Sequence, residues 1–293
     1  MYHMKSYKLF NISMSTIFLT GIWLLCSCSV NAQALRPDSQ HKHEVAVTLG
    51  GLYSSLEYDI PQTDSRDGRD ISLGLEYTYM FSKNFGFSTG AEYQGFGAKS
   101  TTDYYTGAYQ TTDYEQESFE FRYTAQNFVE EQQVGFVNIP LIFTYQNQEH
   151  GFYIKAGAKI GLPIYSKYTN SYNLETSGFY EQYNVELFDP QFMGFGSFNG
   201  ISNEGSNIDL NTNYIATFEL GVKQPLKIKN LYGGVYLDYG LTDIRKGDNH
   251  PVEYTLESNG AGFTSSSILN SNISGEIKTL AFGIKIRYAF LNF

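Results

Sequence analysis

Nine charged residues stand in stretches whose alternate positions are otherwise apolar. The acids are Glu76, Glu92, Glu219 and Asp238, and the bases are Lys155, Lys159, Lys223, Lys285 and Arg287. Such a set is nearly neutral, and buried ions are tolerated only when paired and hydrogen-bonded. Two chemistries fit: a static ion-pair network that fills an interior, or a relay passing protons or ions along it. The filled network is the ordinary arrangement and is the expectation. Other reactive constellations are sparse. His250, near Asp243 and Asp248, is the histidine a rim hydrolase would use, although a solvated loop histidine is commoner. His41-Lys42-His43 could bind a metal loosely. Asp64-Ser65-Arg66-Asp67-Gly68-Arg69-Asp70 has the look of a calcium loop. It misses the EF-hand spacing, and Asp-Gly between strands is ordinary turn chemistry. No catalytic, cofactor or metal site is expected.

Aromatic residues form the second candidate set. Tyr104, Tyr105, Tyr109 and Tyr114 cluster in one segment, followed by Phe119, Phe121 and Tyr123 alternating with Glu120 and Arg122. Tyr180, Tyr183, Phe188, Phe192, Phe195 and Phe198 cluster in another, around Gly194 and Gly196. Tyr104, Tyr105, Tyr109, Tyr183, Phe192 and Phe195 are the candidates for a loop binding surface that stacks on a sugar or docks a partner. The plainer alternative is that these loops pack on one another as a cap.

The elements that must hold these residues have a period of two. In the last one, Leu280, Phe282, Ile284, Ile286, Tyr288 and Phe290 share a face, while Lys285 and Arg287 share the other. Successive strand residues point to opposite faces, so an apolar outer row and a polar inner row follow. Eight such stretches recur from Val45 onward, each about as long as the roughly 9–11 residues a tilted membrane strand needs. The tight turns at Lys83-Asn84, Asn147 to His150 and Lys227 to Asn230 alternate with long segments near 56–69, 97–132, 165–211 and 243–275. Outer-membrane barrels place short turns in the periplasm and long loops outside. The expected fold is all-β: an eight-stranded antiparallel transmembrane β-barrel with long extracellular loops and periplasmic termini. Eight strands leave an interior that side chains fill. Pro140 lacks the N–H its strand needs, so a bulge is expected there.

Ahead of the barrel, Lys5 and Lys8 precede an apolar run from Ile12 to Leu25, and Val30-Asn31-Ala32 resembles a cleavage site. Residues 1–32 read as a signal peptide, 33–43 as a periplasmic tail and 44–293 as the barrel. Cys26 and Cys28 both fall in the leader, in an imperfect lipoprotein box. The chain beyond it then has no disulfide, zinc–thiolate site or cysteine nucleophile. It is acidic, with 30 Asp and Glu in the chain, which excludes nucleic acid as a partner because that binding rests on Lys and Arg neutralising phosphates. A mean hydropathy of −0.31 excludes a helical membrane protein.

Asn138-Ile139-Pro140-Leu141, Phe152-Tyr153-Ile154-Lys155-Ala156-Gly157, Tyr239-Gly240-Leu241-Thr242-Asp243-Ile244 and the closing Gly283 to Phe290 resemble the outer-membrane β-barrel domain of Bacteroidetes, which includes PorT-like proteins. The resemblance implies a Gram-negative outer membrane, partnership with lipid and the barrel-assembly machinery, and, for some members, a link to protein secretion. It implies no catalytic residue. The leading expectation is a non-enzymatic structural or surface-binding protein. An accessory component of a secretion system and a narrow channel are the alternatives. Phe293 is the terminal aromatic that assembly signals usually have, yet it lies out of phase with Phe290, so either the tail bends or recognition tolerates the offset.

Overall fold

The computed structural model describes residues 42–58, 63–68, 71–206, 208–226, 229–246, 251–257, 262–271 and 274–293. The leader with Cys26 and Cys28, His41, His250 and Asp248 lie outside them. The strands are β1 (His43–Glu57), β2 (Thr63–Asp67), β3 (Ile71–Met80), β4 (Phe85–Thr112), β5 (Ser118–Gln146), β6 (Phe152–Tyr180), β7 (Val185–Leu187), β8 (Gly196–Gly205), β9 (Asn213–Pro225), β10 (Asn230–Gly240), β11 (Tyr254–Leu256), β12 (Phe263–Ser265) and β13 (Lys278–Asn292).

Eight of them close a ring, β1-β3-β4-β5-β6-β9-β10-β13 and back to β1, with every neighbouring pair antiparallel. The alternation of the sequence becomes inside and outside. Leu73, Leu75, Ile139, Leu141, Phe143, Phe218, Leu220, Leu237, Ile284 and Ile286 are exposed on the outer wall. Glu76, Glu92, Lys155, Lys159, Glu219, Asp238, Lys285 and Arg287 are buried on the inner one. So continuous an apolar ring is not compatible with water and is the surface a bilayer core surrounds.

Three strands overshoot this belt. β4, β5 and β6 have 28, 29 and 29 residues, nearly three times the roughly 9–11 a membrane crossing uses. The second long segment is therefore mostly a β4–β5 hairpin. The third does not begin as a loop at 165, as its polar composition suggests, because β6 runs on to Tyr180 and then pairs with β7 and β8. Two bulges hide this continuity from a period-two reading. Phe136 pairs with Pro163 but Gly135 with Tyr165, leaving Ile164 as the extra residue on β6. On β5 the register slips between Gln126 and Val129, where Asn127 takes a left-handed φ of 50°. Asparagine tolerates that conformation better than most residues. Above each bulge the inward row changes parity, from even residues to Phe119, Phe121 and Tyr123 on β5.

No bulge forms at Pro140. Thr89 opposes Leu141 and Glu92 opposes Asn138 in one continuous register, while Gly90 and Ala91 stand across from Pro140 and Ile139 without ladder pairs. The missing N–H is accommodated by a local gap. A Cβ on Gly90 would lie 2.0 Å from the carbonyl oxygen of Leu75 on β3, a backbone atom that cannot swing aside. Gly90→Ala is expected to cost about 1–3 kcal/mol by overpacking. Equilibrium unfolding of the refolded barrel in urea checks this, and an unchanged midpoint would remove the close approach as a constraint.

At the C-terminus β13 itself carries a bulge. Ala46 pairs with Ala289 but Val45 with Leu291, so Phe290 is the extra residue and Phe293 returns to the outer face. The Phe293 ring stacks on His43 at 5.1 Å. Asp64 to Asp67 lie in β2, paired with β4, and Gly68 falls between β2 and β3, while Arg69 and Asp70 lie outside the described residues.

Candidate functional site

The interior is layered. At the turn end Tyr153, Tyr232, Ala46 and Ala289 pack as a floor. Here Tyr232 donates to Glu44 at 2.7 Å and Asn230 does so at 3.1 Å. Directly above, Glu76 is clamped by Lys155 and by Arg287, the latter at 2.8 Å. The Arg287 guanidinium lies 4.0 Å from the Tyr232 ring centroid. One level higher, Lys159 bridges Glu92 at 2.6 Å and Asp238 at 2.8 Å, and Lys285 reaches the other oxygen of Glu92 at 2.7 Å. Gln94 donates to Asp238 at 3.0 Å and Asn138 donates to Gln94 at 2.8 Å. Lys155 and Lys159 are each 1% exposed, so this layer closes the bore with side chains from β3, β4, β5, β6, β10 and β13.

Two of the nine charged candidates contribute to neither of these two levels of ion pairs. Glu219 accepts from the Tyr153 hydroxyl at 2.6 Å and makes no direct ion pair among the described residues. Lys223 is half-buried near the turn end, 5.8 Å from the Tyr232 ring. Glu44 and Glu130 also face inward and were not among the candidates. Glu130 is in phase with Gln132 and Asn138, so following the alternation beyond one membrane's thickness would have found it.

Above the ions lies an apolar layer containing Leu56, Phe96, Phe136 and Tyr236, closed from the loop end by Ile244, Leu269 and Ile277. The fourth long segment thus folds into the mouth. Over it sits a larger aromatic core built from β5, β6, β8 and the β11–β12 hairpin. This core divides the six loop candidates. Tyr105 hydrogen-bonds the Tyr254 hydroxyl, Tyr109 donates to the Tyr254 carbonyl at 2.9 Å, and Phe195 is 1% exposed with its ring edge-on to Phe119. These three form the cap. Tyr104, Tyr183 and Phe192 remain 54%, 60% and 74% exposed, and Tyr183 donates to Glu117 at 2.8 Å.

The other candidates assemble nothing catalytic. His43 bonds the Tyr77 hydroxyl at 2.7 Å. Among the described residues no group of three or more His, Cys, Asp or Glu is placed to hold a metal.

Fold and interior together define a membrane-spanning eight-stranded β-barrel with a closed bore and a folded cap. No protein-family model matches the chain, and no curated protein matches it. Solved structures similar to it include Ail, the attachment invasion locus protein of Yersinia pestis, in complex with the heparin analogue sucrose octasulfate. That pair has 9% identity over 85% of this chain and 99% of the other, at a TM-score of 0.34. Neisserial surface protein A shares 9% identity over 85% of this chain and 97% of its own, at 0.31. The outer membrane protease OmpT from Escherichia coli shares 11% over 89% and 99%, at 0.30. Similarity at this level transfers no activity to the present chain.

Proposed function

We propose that the chain is a non-enzymatic outer-membrane barrel of a Gram-negative bacterium that binds a surface ligand through aromatic side chains at its loop end. In this reading the tight turns and both termini face the periplasm and the long loops face the exterior. The observation that carries it is the exposure of Tyr104, Tyr183 and Phe192, joined by Tyr114 and Phe188, on segments where most of the other aromatics are packed into a cap. A preorganised mount carrying a few bare aromatics is the usual composition of a recognition surface. Residues 168–222 contain no lysine or arginine, and Asp113, Glu115, Glu117 and Glu181 surround the tip in sequence. The surface therefore favours neutral or cationic ligands over anionic ones. The ion layer argues against the narrow channel, because conduction would have to break several buried pairs.

A photo-crosslinking side chain placed at Phe192, compared with one at lipid-facing Leu75, tests this in intact cells. A saturable adduct from position 192 is expected. Its yield should fall about tenfold, the equivalent of 1.4 kcal/mol, when Tyr183→Ala is added. Secretion components captured from Leu75, with nothing from 192, would sink the surface-binding reading and support a PorT-like accessory role.

A further inference from the structure

Glu130 is fully buried on β5 at the level of the barrel mouth, well above the belt. Among the described residues its carboxylate meets only neutral donors. The Ser267 hydroxyl donates to it at 2.6 Å, the Ile268 N–H at 3.2 Å, the Gln132 amide at 3.0 Å and the Asn170 amide at 3.3 Å. No lysine, arginine or histidine pairs with it among the described residues, and the nearby Lys99 and Glu131 pair with each other at 2.6 Å on the outer face. Two of its four donors belong to the fourth long segment. There Ser267 also caps the short 3-10 turn Ile268–Asn270 by accepting from the Leu269 N–H. That turn pushes Ile268 into the aromatic core and Leu269 into the apolar layer below.

From this geometry we propose that Glu130 is a pH-operated latch, which holds the fourth loop in the barrel mouth firmly in acid and loosens it as the pH rises. A neutral acid can stay in this apolar setting at little cost, whereas the anion has lost its hydration and gained no counterion. Burial pushes the carboxyl above its ordinary value of 4.5, against the opposing pull of Ser267, Gln132 and Asn170. With the docked value raised above the free one, docking is strongest below the ordinary glutamate range. It weakens as the pH climbs from there through the docked value.

Among the described residues the other ionisable groups facing Glu130 are phenols: Tyr58 after β1, Tyr105 on β4, and Tyr168 and Tyr172 on β6. Burial pushes Tyr58 and Tyr172 up to about 12 and the other two upward as well, so none of them titrates alongside it. The fourth-loop segment 265–271 contributes serines, Ile268, Leu269 and Asn270 but no titratable side chain. The latch is mechanically connected to the outer surface. The same loop carries Tyr254, which bonds Tyr105 and Tyr109 of the β4–β5 hairpin, so loosening the loop frees the hairpin that presents Tyr104. The latch does not depend on what those loops bind.

Hydrogen exchange of the full chain in lipid nanodiscs, followed by mass spectrometry from pH 5 to pH 8, tests it after correction for the intrinsic chemical rates. Protection of the Ile268 and Leu269 amides should fall on the order of tenfold across that range. In Glu130→Gln it should be independent of pH. Ser267→Ala removes a donor to the anion and should move the midpoint to higher pH. Flat protection in the parent, an unchanged response in Glu130→Gln, or a midpoint moved downward by Ser267→Ala would each overturn the latch. Should Glu130→Gln fail to fold, the parent and Ser267→Ala profiles decide between the outcomes.

Discussion

Lys159→Met is expected to destabilise the barrel by about 3–5 kcal/mol, the usual cost of removing one member of a buried ion pair. The lysine bridges Glu92 and Asp238 and is 1% exposed. Without it Glu92 retains Lys285, but among the described residues Asp238 keeps no direct ion pair, only the Gln94 amide and the more distant charge of Lys285. The penalty should therefore come mainly from one uncompensated carboxylate. Adding Asp238→Asn removes that charge, so the double variant should recover more than half of the loss. Urea unfolding of the refolded barrel gives both numbers. A single-variant loss below about 1 kcal/mol, the scale of an exposed pair, would mean that water reaches the layer and that the bore is not closed by these ions. The channel reading would then return.

Phe195→Ala should have an effect of similar size on a different unit. Its ring lies edge-on to Phe119 at 5.6 Å and against Gly178, where an added Cβ would come within 2.5 Å of it. Truncating a buried Phe costs about 3–5 kcal/mol in lost burial and cavity. The loss should fall on the cap, because Phe195 sits in the aromatic core and not in the barrel layers below. Limited proteolysis within residues 181–205 should accelerate steeply, while the heat-shifted gel mobility of the barrel stays as in the parent. Phe192→Ala, three residues away and 74% exposed, should change stability by less than about 0.5 kcal/mol. Equal sensitivity of the two variants would mean that the cap does not pack as a unit. The rigid mount behind the proposed binding surface would then be lost.

Much of the barrel is legible in the residues because it follows from one local rule. Strand neighbours alternate between two solvents, so rows such as Leu280 to Tyr288 and Lys285 to Arg287 reveal both the strand and its faces. The short turns and polar long segments then set the strand number and the ring. The same rule exposes the charged interior, since lipid leaves no other face for Glu92 or Lys159.

What the tertiary structure decided lies where that rule breaks or where chain-distant residues meet. A bulge inverts parity, so beyond Ile164 and Asn127 the alternation points the wrong way and β6 passes for a loop. Pairing depends on height along tilted strands as well as on face, so only the closed ring shows Glu92 shared by Lys159 and Lys285 while Glu219 binds Tyr153. The division of the aromatics was equally invisible. Phe192 and Phe195 are chemically alike and only three residues apart, and only the packing of Phe119 and Gly178 against one of them makes it core. Glu130 became a latch because a loop more than a hundred residues away brings Ser267 and the Ile268 N–H to it without a cation among the described residues.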